Sequence, residues 1–320
     1  MTVHFVGNGA YCYANSLAML LSTVHDDYAP GYLECLTAVG ISAVSVETPK
    51  GPVPFFSIGL PDEGISVALK NLGYEFSRAY CSPNDSPNDI HSLNELREAI
   101  ASGPVLVGPL DMSQLSYITN HERLVGADHF VVIYALEDDR VHLHDPSGFA
   151  YVSLSLEHFI RAWRGASIEY RPDVYPQGPY SMWWNVRRIR KPTAAEVFRL
   201  TDQYIYQLLR RQDEQDNPNF GCDMIRLLAE QVRTGIPEYY RGQFGGFTLP
   251  LGARRCADFA QFYMPYDLER AQIKDNQGRC FGRAFLAFGQ QDYEGLSTAL
   301  HEIANLEEEF QQRTLQSHTE

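Results

Sequence analysis

Apolar residues recur at helical spacing in the first part of the chain: Leu17, Leu20 and Leu21 fall at i, i+3 and i+4 within residues 12–21. Residues 60–76 repeat the pattern, with Pro61 and Asp62 as the start, Ile65, Ala68, Leu69 and Leu72 as the stripe, and Gly73 as the stop. In residues 92–104, Ser92 and Glu95 stand at capping-box spacing and Gly103-Pro104 closes the segment. The texture then changes. Residues 105–110, 129–136, 141–145 and 181–189 are β-branched and aromatic runs bounded by turn residues, which predicts strands. Helices first and a sheet afterwards makes an α+β domain rather than alternating βαβ units. Beyond Lys191-Pro192 the helical period returns in residues 193–211, 222–235, 253–268, 280–290 and 296–312. The expected division is an α+β domain over residues 1–191 and an all-helical domain over residues 192–320.

Composition agrees with that division. A chain of 320 residues with 44% hydrophobic and 21% charged residues can fill two ordinary cores. Its formal charge of -14 argues against nonspecific nucleic-acid binding, which needs a basic surface. The densest basic run, residues 187–191, reads as a solvated strand end leading into a linker. The opening residues lack the basic start and apolar core of a signal peptide, and no later run reaches eighteen apolar residues. A soluble cytoplasmic protein with no membrane association is therefore expected. Cysteines at 12, 35, 81, 222, 256 and 280 form no CxxC pair, so reduced thiols are expected rather than a zinc cage or disulfides.

The location of Cys12 changes the picture. It falls at the start of the first helix, where backbone N–H groups and the positive end of the dipole favour a thiolate and can hold an oxyanion. Such a nucleophile needs a base oriented by a third group. His129, which opens the strand 129–136, is the best candidate base, and Asp145, at the end of the next strand, is the candidate orienter. The geometry is conditional. A three-residue loop at Glu137-Asp138-Asp139 pairs Leu136 with Arg140 and sets His129 opposite Ser147, with Asp145 diagonal to His129 on the same face, about 7–8 Å away. A two-residue loop would turn Asp145 to the other face. A metal site at His142, His144 and Asp145 is disfavoured, because alternation places both histidines opposite the carboxylate.

The segments 12–21, 103–112, 126–136, 144–148 and 161–164 together resemble the papain-like cysteine enzymes. The nearer likeness is to the amino-terminal domain of the butirosin biosynthesis protein H family, itself similar to C39-type peptidase domains. Residues 219–232 and 282–290 look like the helical domain that accompanies that family. The resemblance implies acyl transfer. Cys12 would take an acyl group from the phosphopantetheine thioester of a carrier protein, and a small-molecule amine would accept it, with His129 as base and then acid and Asp145 as orienter. No cofactor would be bound by the enzyme itself.

Other candidates stay open. Papain-like enzymes add an upstream amide to the oxyanion hole; Asn8 is the upstream amide here, though asparagine before glycine also makes turns. Asp111 could bind a cationic amine or cap the segment after it. Tyr11, Tyr13, Tyr239 and Tyr240 could line a substrate cleft or serve as packing. The helical domain could close over an acyl-enzyme to keep water out, or could stabilise the protein or form a homodimer. A peptidase, amidase, thioesterase or cyclase would use the same three residues, and a non-catalytic papain-like binding module is the alternative from another class.

Overall fold

The computed structural model describes residues 4, 6–7, 11–81, 86, 88–168, 179–213, 217 and 219–318. In chain order the elements begin with α1 (Cys12–Ser22), α2 (Pro30–Thr37), β1 (Val44–Thr48), β2 (Gly51–Phe55), α3 (Pro61–Asn71) and β3 (Tyr74–Ala79). Next come α4 (Asp89–Ser102), β4 (Val105–Asp111), β5 (Asp128–Leu136), β6 (Arg140–Asp145), β7 (Phe149–Ser155), α5 (Leu156–Arg164) and β8 (Met182–Arg188). The remainder is α6 (Ala194–Asp213), α7 (Gly221–Val232), α8 (Glu238–Gln243), α9 (Leu249–Tyr263), α10 (Leu268–Gln290) and α11 (Tyr293–Gln316). Among the described residues, no helix is long and apolar enough to cross a membrane.

The chain forms two compact units, and their division departs from the expected one. One unit holds residues 1–33 and 60–192; the other holds residues 34–59 and 193–320. Residues 34–59 therefore leave the amino-terminal part of the sequence and join the helical part. The physical reason is burial: Ala43 and Phe56 belong to the same apolar core as Leu228, Phe281 and Ile303. The Phe56 ring meets Phe281 edge-on at 4.7 Å between centroids. Backbone bonds add to this, from Gly221 N to Ala43 O at 2.8 Å and from Ser45 N to Asn219 O at 2.9 Å. The helical unit is consequently not all helix, since it contains the antiparallel ribbon β1–β2.

In the first unit a six-stranded sheet runs in the order β3-β8-β4-β5-β6-β7, every pair antiparallel. Leu96 and Ala99 of α4 and Phe159 and Trp163 of α5 pack with Val105, Val107, Val131, Ile133 and Leu143 on one face. Alternation turns Phe130 to the other face, where Tyr13 of α1 meets it at 6.0 Å and the Ser16 hydroxyl donates to the Phe130 carbonyl at 3.0 Å. Gly108 permits a close approach in β4, because a Cβ there would come within 2.4 Å of the Phe130 ring. Past this glycine the β4–β5 register shifts, and Leu110 pairs with His129.

Two local expectations change. The helix predicted over 60–76 ends at Asn71, and Tyr74–Ala79 becomes the edge strand β3, paired with β8. In α4 the N-cap is Asn88, whose side chain accepts from His91 N at 3.1 Å, so Ser92 is a buried residue inside the helix and not its cap.

Candidate active site

Cys12 is the first residue of α1 and is partly exposed. The residue before it, Tyr11, has φ 56° and ψ 52°, a left-handed conformation that costs a non-glycine residue about 1–3 kcal/mol and persists only where its surroundings hold it. Asn15 supplies that hold. Its backbone N–H and its side-chain Nδ2 both donate to the Tyr11 carbonyl, at 2.8 Å and 3.0 Å. The fully buried Asn15 thus pins the turn that presents Cys12.

The hairpin that carries the other two residues has a different loop from the one required above. Glu137 N donates to Arg140 O at 2.8 Å, and Leu136 pairs with Val141, which leaves the two-residue loop Asp138-Asp139. That loop alone would have turned Asp145 away. The register shifts between Ile133 and Ala135, however, so a β-bulge at Tyr134 restores the missing residue. Val132 then faces His144, and the same register continued sets His129 opposite Ser147 with Asp145 at the diagonal.

The side chains meet accordingly. His129 Nε2 lies 2.6 Å from Asp145 Oδ1, and the Cys12 thiol interacts electrostatically with the same imidazole. Asp145 also accepts from the Ser147 backbone N–H at 2.7 Å and, through Oδ2, from the Tyr117 hydroxyl at 2.8 Å. The Ser147 hydroxyl is 3.4 Å from His129 Nε2. Both members of the pair are buried.

Charge stabilises this arrangement. Burial by itself favours a neutral His129, but the Asp145 carboxylate outweighs it and holds the imidazole well above its ordinary value. Burial likewise opposes ionisation of Asp145, and the His129 charge, Ser147 N–H and Tyr117 hydroxyl together keep the carboxyl below its ordinary range. Each member of the pair thus favours the charged form of the other.

The remaining candidates are placed differently. Asp111 is a cap: Oδ1 accepts from the Ser113 N–H at 2.9 Å and hydroxyl at 2.7 Å, and Oδ2 accepts from the Ser167 hydroxyl. Its oxygens fix a loop instead of facing an amine. Tyr11 and Tyr13 are buried, Tyr13 against Phe130. Tyr240 lies in the core of the helical unit and meets Phe244 edge-on, and Tyr239 donates to the Pro52 carbonyl at 2.8 Å. Both contacts lie within their own unit, and Tyr239 is partly exposed. Asn8 lies outside the described residues. His144 accepts from Tyr151 N at 3.1 Å and packs between Tyr134 and Tyr151, while His142 pairs with Glu137 at 3.1 Å. Among the described residues no group of three His, Cys, Asp or Glu side chains is arranged to hold a metal. Sequence reasoning missed Asn15 and Tyr117. The first carries a weak signal, an amide four residues into a helix; the second carries none, because its partner is twenty-eight residues away.

Compared with curated proteins, the chain is 32% identical over 308 residues to "Uncharacterized protein YobF" of Bacillus subtilis (strain 168), an alignment covering 96% of each chain. The chain belongs to the YobF family. The family model for the YobF C-terminal domain matches residues 217–315, a stretch that lies wholly in the helical unit and excludes Cys12, His129 and Asp145. The alignment with YobF extends beyond that stretch to nearly the whole chain. Among solved structures, the peptidase domain of Streptococcus ComA, a bi-functional ABC transporter involved in a quorum-sensing pathway, matches at 17% identity. That match covers 51% of this chain and 94% of that one, with a TM-score of 0.34. The family found is YobF; the likeness to the butirosin biosynthesis protein H family rests on the motifs quoted above.

Proposed function

We propose that the chain is a cysteine-dependent acyltransferase with a papain-like, C39-like catalytic unit. The observation that carries this reading is the His129–Asp145 pair at 2.6 Å with the helix-start thiol of Cys12 acting on the same imidazole. In the first half-reaction the Cys12 thiolate attacks the carbonyl carbon of an acyl thioester. The new C–S bond forms, the old one breaks, and the His129 imidazolium gives its proton to the departing thiolate. In the second, an amine attacks the acyl-enzyme, neutral His129 takes the amine proton, and Cys12 leaves as thiolate. Asp145 keeps the imidazole oriented and stabilises its charged form through both halves. Backbone N–H groups of the first turn of α1 would serve as donors to the oxyanion.

The donor we assign is a carrier-protein phosphopantetheine thioester, and the acceptor a small-molecule amine. In such an exchange one thioester replaces another, so the acyl group reaches Cys12 with a thiol rather than a strongly basic amine as leaving group. Intact-mass spectrometry after exposure to an acyl-carrier thioester tests the proposal. A single acyl adduct is expected, absent in Cys12→Ala and discharged by added amines. An adduct that persists in Cys12→Ala, or no adduct at all, overturns it; discharge to water at the same rate with and without amine makes the protein a hydrolase.

A further inference from the structure

The loop between β4 and β5 carries a residue that the reaction scheme above does not use. Tyr117 donates its hydroxyl to Asp145 Oδ2 at 2.8 Å, and its ring stands edge-on to Phe149 at 5.5 Å. Asp145 therefore has one oxygen turned to His129 and Ser147 and the other held by Tyr117. A carboxylate bound at one oxygen only can rotate about its Cβ–Cγ bond; one bound at both cannot. The loop has its own anchors. Asp111 caps its first turn through Ser113, His121 Nδ1 meets the Ser113 carbonyl, and Leu115 is buried.

We infer that Tyr117 is a positioning residue for the Cys12–His129–Asp145 set, fixing the Asp145 carboxylate plane toward the imidazole through Oδ2. The inference rests on the catalytic reading of that set. It also gives Asp111 a role: the carboxylate that caps the loop holds Tyr117 in place, and so reaches the site without touching a substrate. Among the described residues, the titratable groups facing Asp145 are His129 from β5 and Tyr117 from the loop, with Cys12 beyond the imidazole. Burial first, and then the Asp145 charge, keep the Tyr117 phenol protonated well above its ordinary range, so it is a donor at every pH of interest.

The test is Tyr117→Phe in the full-length chain, which keeps the ring and its packing on Phe149 and removes only the hydroxyl. Two readouts are followed together: the rate of Cys12 alkylation by iodoacetamide against pH, and the ring-proton NMR signal of His129 hydrogen-bonded to Asp145. Loss of one hydrogen bond to the carboxylate makes Asp145 easier to protonate. The acid limb of the alkylation profile is expected to move to higher pH, the rate at neutral pH to fall several-fold, and the His129 ring-proton signal to shift or broaden. An unchanged acid limb together with an unchanged ring-proton signal overturns the positioning role while leaving the catalytic reading intact. If instead wild-type Cys12 alkylation has the same rate and pH profile as in His129→Ala, the catalytic reading itself fails, and the positioning role with it.

Discussion

Replacing Asp145 by Asn changes one charge and almost no volume at a fully buried position. In the native protein Oδ1 takes bonds of 2.6 Å and 2.7 Å from His129 and Ser147, and Oδ2 takes one of 2.8 Å from Tyr117. An asparagine can still accept from the Ser147 N–H, but it cannot balance the imidazolium. The raised His129 value means its stabilising contribution is complete below the ordinary histidine range and is lost as pH rises through the folded value. The lowered Asp145 value means its contribution is complete above the ordinary carboxyl range and is lost as pH falls through the folded value. The pair therefore stabilises the fold from the carboxyl range to above neutrality. Breaking a buried pair costs about 3–5 kcal/mol, and the retained acceptor places this variant near the lower limit, about 3 kcal/mol. The chain's three tryptophans, Trp163, Trp183 and Trp184, all lie in the unit that carries the pair, so urea unfolding followed by tryptophan fluorescence reads that unit directly. With the carboxylate gone, the largest contribution that raises the His129 value is lost and only Cys12 still opposes burial, so that value is expected to fall, which histidine NMR detects. An Asp145→Asn protein within about 0.5 kcal/mol of wild type, with the His129 titration unmoved, would refute the reasoning.

Two further outcomes concern the helical unit. Arg255→Met leaves Glu34 without the guanidinium that meets it at 2.8 Å and removes the donor to the Phe56 carbonyl at 3.0 Å; a loss of about 3–5 kcal/mol is expected, read as faster amide exchange in α9 and α10, and unchanged exchange would contradict it. A chain ended at Lys191 strips Ala43 and Phe56 of their core, so residues 34–59 should become sensitive to protease and the fragment should aggregate. A monomeric fragment with that segment protected would show that the segment does not depend on the helices.

Most of the sheet and the start of α1 were legible because their signals are local. Helical period marked α1, and β-branched and aromatic runs bounded by turn residues marked Val105–Asp111, Asp128–Leu136 and Arg140–Asp145. The edge strand β3 was hidden by the helix before it, since Tyr74–Ala79 follows α3 after only two residues and has little buried surface of its own. The ribbon β1–β2 was hidden for a related reason. Its strands are short and mostly half-buried, and its second strand contains two prolines.

What the sequence alone determined is which three side chains are candidates for the site and their order along the chain, because chemistry belongs to residue type and the ends of elements follow from local pattern. It could not determine how they meet. Turn counting required an odd loop at the β5–β6 hairpin, and the loop is even; a bulge at Tyr134 supplies the extra residue. A bulge has no reliable local signature, since it forms where packing on both faces of the sheet demands a register that the turn does not provide. The same holds for Tyr117, brought to Asp145 by a loop, and for residues 34–59, drawn into the helical unit by the burial of Ala43 and Phe56. In each case the deciding energy is contact between residues far apart in sequence, which exists only once the chain has folded.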